Sequence, residues 1–226
     1  MIDLSNKTLG IFHAALISTK SVEPFIKEII PEVTVVHFVD DTVQNLNFIQ
    51  VPGVIPKVNL YKFVTYAHNL QEAGVDLVLL ACSTFNIAVE FARPLIEVPM
   101  LQIDRPMMDL AVQDGKRIGL LGTVPSTMIP SENLLRKAAL EAGKKIEVST
   151  VLCSKAFEEI KIGNVQNHNE ILLEEIKILS RSVDVIVLAQ VSMSALEPML
   201  KDFNVPIYNS GRTGFNRVRQ LLGKDE

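Results

Sequence analysis

The sequence repeats itself at an interval close to half its length. Residues 75–84 (VDLVLLACST) align with residues 183–192 (VDVIVLAQVS), 108 positions later. Two further pairs agree at offsets of 109 and 107: residues 7–12 with 116–121, and residues 98–99 with 205–206. An internal duplication of this kind predicts two similar halves that face each other across a cleft, where small-molecule sites commonly lie.

Short apolar segments rich in β-branched residues alternate with longer amphipathic ones. The nearly continuous apolar character of the short segments is typical of parallel strands that are buried on both faces. The predicted strands are 8–12, 33–38, 75–80, 98–102, 117–121, 146–151, 184–188 and 205–208. Helices are predicted over 57–73, 131–142 and 168–181, and the alternation indicates an α/β fold with parallel sheets.

The segment 40–56 has turn chemistry, with paired aspartates at its start and Pro52-Gly53 near its end. We interpret it as a loop over the cleft or as an ordinary surface connection. For the domains we predict a first half over 1–104, with the C-terminal segment 209–226 packing back on it, and a second half over 105–208. The two halves are expected to be Rossmann-like and related by pseudo-twofold symmetry.

Composition excludes several classes of function. The 226 residues carry a net charge of −4 and no run of basic residues, which argues against a nucleic acid as partner. The longest apolar stretches are too short to span a bilayer, and the acidic, polar start does not predict a signal peptide. The two cysteines form no disulfide framework, and no Cys/His cluster has metal-ligand spacing, so we expect a cytoplasmic protein with no metal site.

In doubly wound sheets, ligands bind beyond the carboxyl ends of the strands. That position is occupied by Cys82-Ser83-Thr84 in the first half and by Gln190-Val191-Ser192 in the second, so Cys82 and Gln190 are equivalent. Ser83 or Thr84 is expected to cap the following helix. Free N–H groups and the helix dipole at such a start predict a lowered pKa for Cys82 and a cradle for a carboxylate.

A second candidate site is the segment 119–127, in which a strand and Gly122 precede the hydroxyls of Thr123, Ser126 and Thr127. The pattern is suited to binding an anion, but it matches neither a phosphate loop nor a dinucleotide fingerprint. Ordinary helix capping by these hydroxyls is the alternative.

Histidine and aspartate side chains end other strands. His13, the counterpart of Gly122, is positioned to bind a carboxylate or to donate a proton, or else has a structural role. Asp40 and Asp41 either orient a polar substrate or act as caps. Cys153 is interpreted as a packing residue, and His168 as part of a helix start.

These residues together resemble the aspartate/glutamate/hydantoin racemase superfamily over essentially the whole chain. Ala81-Cys82-Ser83-Thr84 stands in the place of that family's first cysteine loop, Gly122-Thr123 with Thr127 resembles its hydroxyl loop, and Val187-Leu188-Ala189-Gln190 replaces its second, Gly-Cys-Thr loop. The resemblance implies a substrate held between the halves, and two cysteines that exchange a proton next to a carboxylate without a cofactor. A homodimer is a further expectation from it.

By the same resemblance, Cys82 would be the acid/base thiol. The carboxylate oxygens would be held by Ser83, Thr84, Thr123, Thr127, Gln190, Ser192 and the backbone of Val191. Gln190 departs from the family pattern because a carboxamide can hydrogen-bond but acts as neither an acid nor a base at neutral pH. His13 is our candidate for the missing second proton carrier. The alternatives are decarboxylation with one-sided protonation, as in arylmalonate decarboxylase, isomerisation with Cys82 as a nucleophile towards an alkene or carbonyl, and a non-catalytic protein that binds a carboxylate metabolite.

Overall fold

In a computed structural model of the protein, residues 3–224 are described, and across them the chain forms two four-stranded parallel sheets. The first sheet has the order β2-β1-β3-β4 and the second the order β6-β5-β7-β8. The strands are β1 Thr8–His13, β2 Thr34–Val39, β3 Leu77–Leu80, β4 Met100–Gln102, β5 Arg117–Gly122, β6 Glu147–Leu152, β7 Val185–Leu188 and β8 Ile207–Asn209. The identical strand order in the two sheets is the structural form of the repeat, and it confirms the predicted two-half α/β fold.

Helices cover both faces of each sheet. They are α1 Ile17–Ile29, α2 Asp41–Phe48, α3 Lys57–Glu72, α4 Ile87–Ala92, α5 Arg105–Asp114, α6 Pro125–Glu141, α7 Ser154–Lys161, α8 Val165–Leu179 and α9 Ser210–Leu222, with a 3-10 helix over Val191–Met199. The central strands β3 and β7 are buried along their whole length, whereas the edge strands β2 and β6 are partly exposed.

The sequence suggested a loop over residues 40–56, but part of this segment is helical. It contains the two-turn helix α2, whose N-cap is Asp40, with the carboxylate accepting a hydrogen bond from the Thr42 amide at 2.9 Å. Val43 supplies the buried side of this helix, and Asn47 is held by the Asn59 amide at 2.8 Å. The turn residues that were visible in the sequence belong to a cap and to the connection that follows the helix.

Two other helix starts differ from prediction. Helix α6 begins at Pro125 rather than at 131, because proline fits the first turn of a helix, where no N–H is needed. Helix α8 begins at Val165, so His168 lies inside its first turn and hydrogen-bonds the Ala156 carbonyl at 2.7 Å. Cys153 is 5% exposed within an apolar core, as expected of a packing residue.

The C-terminal helix α9 packs on the first half. Phe215, Val218 and Leu222 share one apolar core with Leu9 and Ile11 of β1. Val191, three residues after β7, also lies in this core. Residues 1, 2, 225 and 226, which fall within our predicted domain limits, lie outside the described part of the chain, and those limits stay a prediction.

Candidate functional site

The candidate site lies where the two central strands of each sheet end. In the first half β1 and β3 are neighbours and end at His13 and Leu80, and in the second half β5 and β7 end at Gly122 and Leu188. Because the strands of each sheet are parallel, the loops that follow lie at the same edge, where ligands bind in folds of this class.

Cys82 lies two residues beyond β3 and is partly exposed. Its Sγ is 3.7 Å from Oε1 of Gln44 on α2, and it also packs beside the apolar core around Phe12 and Phe85. Sequence reasoning missed Gln44, because that residue was assigned to a loop. Helix α2 is the element that carries its amide to the thiol.

The pKa of Cys82 was expected to be lowered, and that expectation was wrong. Burial by the surrounding protein raises the pKa of the thiol to about 12, and the negative charge of Asp104 adds to the increase. Backbone hydrogen bonds from Phe85 and Thr84 act in the predicted direction but are outweighed. Desolvation opposes the charged form of any acid, so Cys82 is a neutral thiol at neutral pH.

The predicted capping role of Ser83 or Thr84 was also wrong. Helix α4 begins only at Ile87, its N-cap is Asn86, and no side chain caps it. The loop continues for three residues past the serine, and the Thr84 hydroxyl turns towards the other half of the protein instead.

Thr84 and Thr127 are brought together across the cleft. Their hydroxyl oxygens are 3.1 Å apart, and the Ser126 hydroxyl is 3.5 Å from that of Thr84. Nearby, the Asn86 amide donates to the Pro130 carbonyl at 3.1 Å. The hydroxyls proposed to hold a carboxylate therefore hydrogen-bond one another between the halves.

Gln190 is bound within its own half. Its Oε1 accepts hydrogen bonds from the Thr123 amide at 2.6 Å and from the Thr123 hydroxyl at 3.0 Å. Val191 is buried, whereas Ser192 is exposed. Gln190 thus contacts Thr123 directly, a pairing of two predicted site residues that the sequence did not indicate.

His13 is completely buried and engaged through both ring nitrogens. Nδ1 lies 2.6 Å from the Ser18 hydroxyl, and Nε2 lies 3.0 Å from Nδ1 of His37, which is exposed. Burial, reinforced by the neighbouring His37, lowers the pKa of His13 to about 3, so the ring is neutral at physiological pH. Neither nitrogen bonds to Cys82 in this arrangement, and the catalytic role of His13 stays a prediction.

Asp104 is a second group that sequence reasoning missed. It is fully buried two residues after β4, and burial raises the pKa of its carboxyl to about 6, although Ser83 and Ser210 lower it in part. Both serine hydroxyls lie near the carboxyl, but within residues 3–224 neither carboxyl oxygen has a partner in good hydrogen-bond geometry. The strand-end rule that selected Cys82 also applies to β4 and could have identified this aspartate.

Asp40 and Asp41 have structural partners. Burial opposes ionisation of Asp40, but hydrogen bonds from Thr42, Tyr66 and Lys62 outweigh it and lower the pKa to about 2. Asp41 accepts a hydrogen bond from the Leu16 amide at 2.6 Å. Of the two interpretations of this pair, capping is the one that the contacts match.

A cavity of about 600 Å³ lies between α1 and the 3-10 helix. Val191 and Ser192 line it together with Phe25 and Arg212, but Cys82, Thr84 and Thr123 do not. Of the candidate site, the cavity therefore contacts only residues of the loop after β7. In the described part of the chain no group of His, Cys, Asp and Glu residues could hold a metal ion.

Comparison with known proteins decides the family. The family model described as Asp/Glu/Hydantoin racemase matches residues 15–218. The chain belongs to this family. A glutamate racemase from Trichodesmium erythraeum (strain IMS101) is 30% identical over 136 residues, which is 58% of this chain and 49% of the relative. The chain thus spans about half the length of the curated relatives that it matches.

Solved structures agree on the fold of this racemase-family protein. An aspartate racemase homologue from Pyrococcus horikoshii OT3 superposes with a TM-score of 0.71 at 21% identity, covering 96% of this chain and 100% of the other. The Gly74Cys mutant of arylmalonate decarboxylase gives 0.62 at 15% identity, covering 97% and 94%. Across the described residues no helix is both long and apolar enough to cross a membrane.

Proposed function

We propose that the protein is a cofactor-independent enzyme that acts at the carbon next to a carboxylate of a small acid, with Cys82 as the acid/base residue. Family membership supports an enzyme of the isomerase type. The observation that carries the assignment to Cys82 is its place beyond β3, partly exposed and with a protonated thiol. No cofactor is needed for this role.

A neutral thiol is suited to protonating carbon. When a carbanion or enediolate forms beside the carboxylate, the S–H proton passes to carbon and leaves a thiolate. Backbone hydrogen bonds at Thr84 and Phe85 favour that thiolate, although burial opposes it. Solvent then returns the proton, and the partial exposure of Cys82 allows this.

The carboxylate would be held by hydroxyls and amides from both halves, namely Ser83, Thr84, Thr123, Thr127, Gln190, Ser192 and the backbone of Val191. Thr84 and Thr127 would exchange their mutual hydrogen bond for bonds to the substrate. Fixed donors of this kind stabilise the negative charge that develops during the reaction, each typically by about 3 kcal/mol.

Racemisation requires a second proton carrier, and His13 is the candidate. Its hydrogen bond to the exposed His37 offers a route for its proton to solvent. Decarboxylation is the alternative: the departing carbon dioxide leaves its bonding electron pair on the carbon, and one thiol then suffices. The presence of Gln190, which has no acid proton, at the second cysteine position favours that alternative.

We also infer a cytoplasmic location and a homodimer. Two free cysteines fit a reducing compartment. Light scattering during gel filtration measures the oligomeric state, and a mass near 50 kDa would be expected for a dimer of this 25.1 kDa chain.

The deciding experiment is incubation in deuterated water with amino acids, hydroxy acids, hydantoins and substituted malonates, followed by proton NMR. Deuterium that enters at the α-carbon without loss of carbon dioxide indicates racemase-type exchange, and deuterium that enters only as a malonate decarboxylates indicates the lyase. Cys82→Ala should greatly slow either reaction. His13→Ala should abolish only the first, so a variant that still racemises would remove His13 from the mechanism. Absence of any reaction, combined with thermal shifts by carboxylates, would instead favour the binding protein.

A further inference from the structure

The amide and hydroxyl of Thr123 form a donor pair that is already occupied. Both donate to the same atom, Oε1 of Gln190, at 2.6 and 3.0 Å, and Thr123 is only 3% exposed. The Gln190 oxygen thus accepts the same two kinds of hydrogen bond, from an N–H and an O–H, that a bound carboxylate oxygen would accept. A second oxygen cannot use these donors unless Gln190 leaves.

The orientation of the Gln190 carboxamide follows from this contact. A backbone N–H can only donate, so the atom that faces Thr123 must be the oxygen, and the NH₂ group must point the other way. Gly122 leaves room for the arrangement, since a Cβ at that position would lie 3.4 Å from Oε1 and 2.7 Å from Sδ of Met128.

The other end of the carboxamide is available to a ligand. In residues 3–224, Nε2 of Gln190 hydrogen-bonds no protein acceptor, and it is not among the buried polar atoms that lack a partner. Gln190 itself is partly exposed, at the edge of the sheet where Cys82 also lies in the other half. The two N–H donors of this group, held in place by the oxygen, are therefore accessible to solvent and have no protein acceptor within the described residues.

We propose that Gln190 is a specificity-determining residue: its oxygen occupies the Thr123 donor pair, and its Nε2 presents to substrate the two donors that replace that pair. This rests on the proposed function and alters one part of it, because Thr123 then positions Gln190 and does not touch substrate. The second half binds an acceptor oxygen, either a carbonyl or a carboxylate, and exchanges no proton. The substrate class is a small acid with a second acceptor oxygen on the side away from Cys82.

The test uses malonate as a probe, with ¹⁵N-labelled protein and heteronuclear NMR. In the wild type, malonate should shift the side-chain NH₂ signals of Gln190 and leave the signal of the Thr123 backbone amide unchanged. In Gln190→Ala the Thr123 donors are free, so malonate should now shift the Thr123 amide. Gln190→Glu keeps an oxygen for Thr123 but replaces the donors by a negative charge, and it should weaken malonate binding by at least about tenfold.

Three outcomes would overturn the inference. They are a large shift of the Thr123 amide by malonate in the wild type, equal malonate affinity in the wild type and Gln190→Glu, and no shift at either residue in any of the three proteins. The spectrum of each variant without malonate checks that it is folded. The titration should give the same answer in a Cys82→Ala background, in which the proposed reaction is blocked. If malonate gives the expected shifts but the protein incorporates no deuterium, the proposed function is refuted and the inference about Gln190 stands.

Discussion

The loops after β3 and β7 occupy equivalent places in the two halves, and their chemistry differs. In the first half the loop carries a thiol that lies 3.7 Å from Oε1 of Gln44, and its hydroxyl at Thr84 reaches across the cleft. In the second half the loop carries a carboxamide that turns inward to Thr123. The duplicated fold thus supplies two matching positions, but only one of them holds a group that can release a proton.

The next pair of strand ends repeats the contrast. Two residues beyond β4 lies the buried Asp104, and two residues beyond β8 lies Gly211, which α1 packs against so closely that a Cβ would be 2.2 Å from the Phe25 ring. The first half therefore has titratable groups at both positions and the second half at neither. Under the proposed function, the groups that could exchange protons at these strand ends would therefore lie in the first half.

The largest effect is expected from removing the thiol. Cys82→Ala should reduce the rate of deuterium incorporation by about 10²–10⁴, the usual contribution of a general acid or base. Cys153→Ala is the matched control, since it removes the other cysteine from a buried core in the second half. Similar losses in the two variants would mean that turnover does not depend on the strand-end thiol, and the contrast between the halves would lose its functional meaning.

Asp104→Asn tests the buried charge in the first half. Because the folded protein raises the carboxyl pKa from 3.8 to about 6, folding favours the protonated form, and the wild type loses stability as the pH rises from about 4 to about 6. A shift of about two units corresponds to roughly 3 kcal/mol. In urea unfolding the asparagine variant should gain up to that amount over the wild type at pH 8 and a smaller amount at pH 4.5.

Asp184→Asn is a control, because the effect of pH on the stability contributed by this carboxylate has the opposite sign. Hydrogen bonds from Arg117 and from the Lys116 amide lower the pKa of Asp184 to about 2, so its contribution is present near neutral pH and is lost as the pH falls towards 2. An Asp104 variant whose stability relative to the wild type does not change between pH 4.5 and pH 8 would show that its carboxyl is not buried as described.

Gly211→Ala tests the packing at the equivalent position in the second half. The added methyl would overlap the Phe25 ring, and overpacking of this kind typically costs about 1–3 kcal/mol. The comparison is Gly10→Ala, because Gly10 lies in a strand and a Cβ there would meet only the ends of leucine and valine side chains. Gly143 is not suitable, because its φ of +64° would strain any substitution. Thermal unfolding should therefore show a larger loss for Gly211→Ala than for Gly10→Ala.

The smallest effect concerns the contact between the two loops. Thr84→Val, Thr127→Val and the double variant form a cycle that measures the 3.1 Å hydroxyl contact, and we expect a coupling of about 1 kcal/mol in unfolding by denaturant. A coupling near zero would mean that the halves are not joined by this hydrogen bond in solution. In that case the hydroxyls would be free for substrate without any exchange of partners.

Much of the fold could be predicted from the sequence, because apolar periodicity and the repeat are properties of the chain itself. The eight strands lie where the apolar segments indicated, within a few residues, and Cys82 and Gln190 occupy equivalent strand ends. Helix α2 escaped prediction because its eight residues have a weak apolar face, with Val43 and Asn47 buried. Its turn residues at either end were more conspicuous than its periodicity.

What only the tertiary structure decided is the state of each group at the site. Cys82 meets Gln44 across 38 residues of sequence, and Thr123 meets Gln190 across 67, so no local pattern could reveal either contact. The pKa of Cys82 depends mainly on desolvation by the protein packed around it, and this outweighs the local backbone hydrogen bonds on which the sequence argument rested. Position along a strand is a local property that the sequence carries, whereas burial and hydrogen-bond partners depend on distant segments and exist only once the halves have folded.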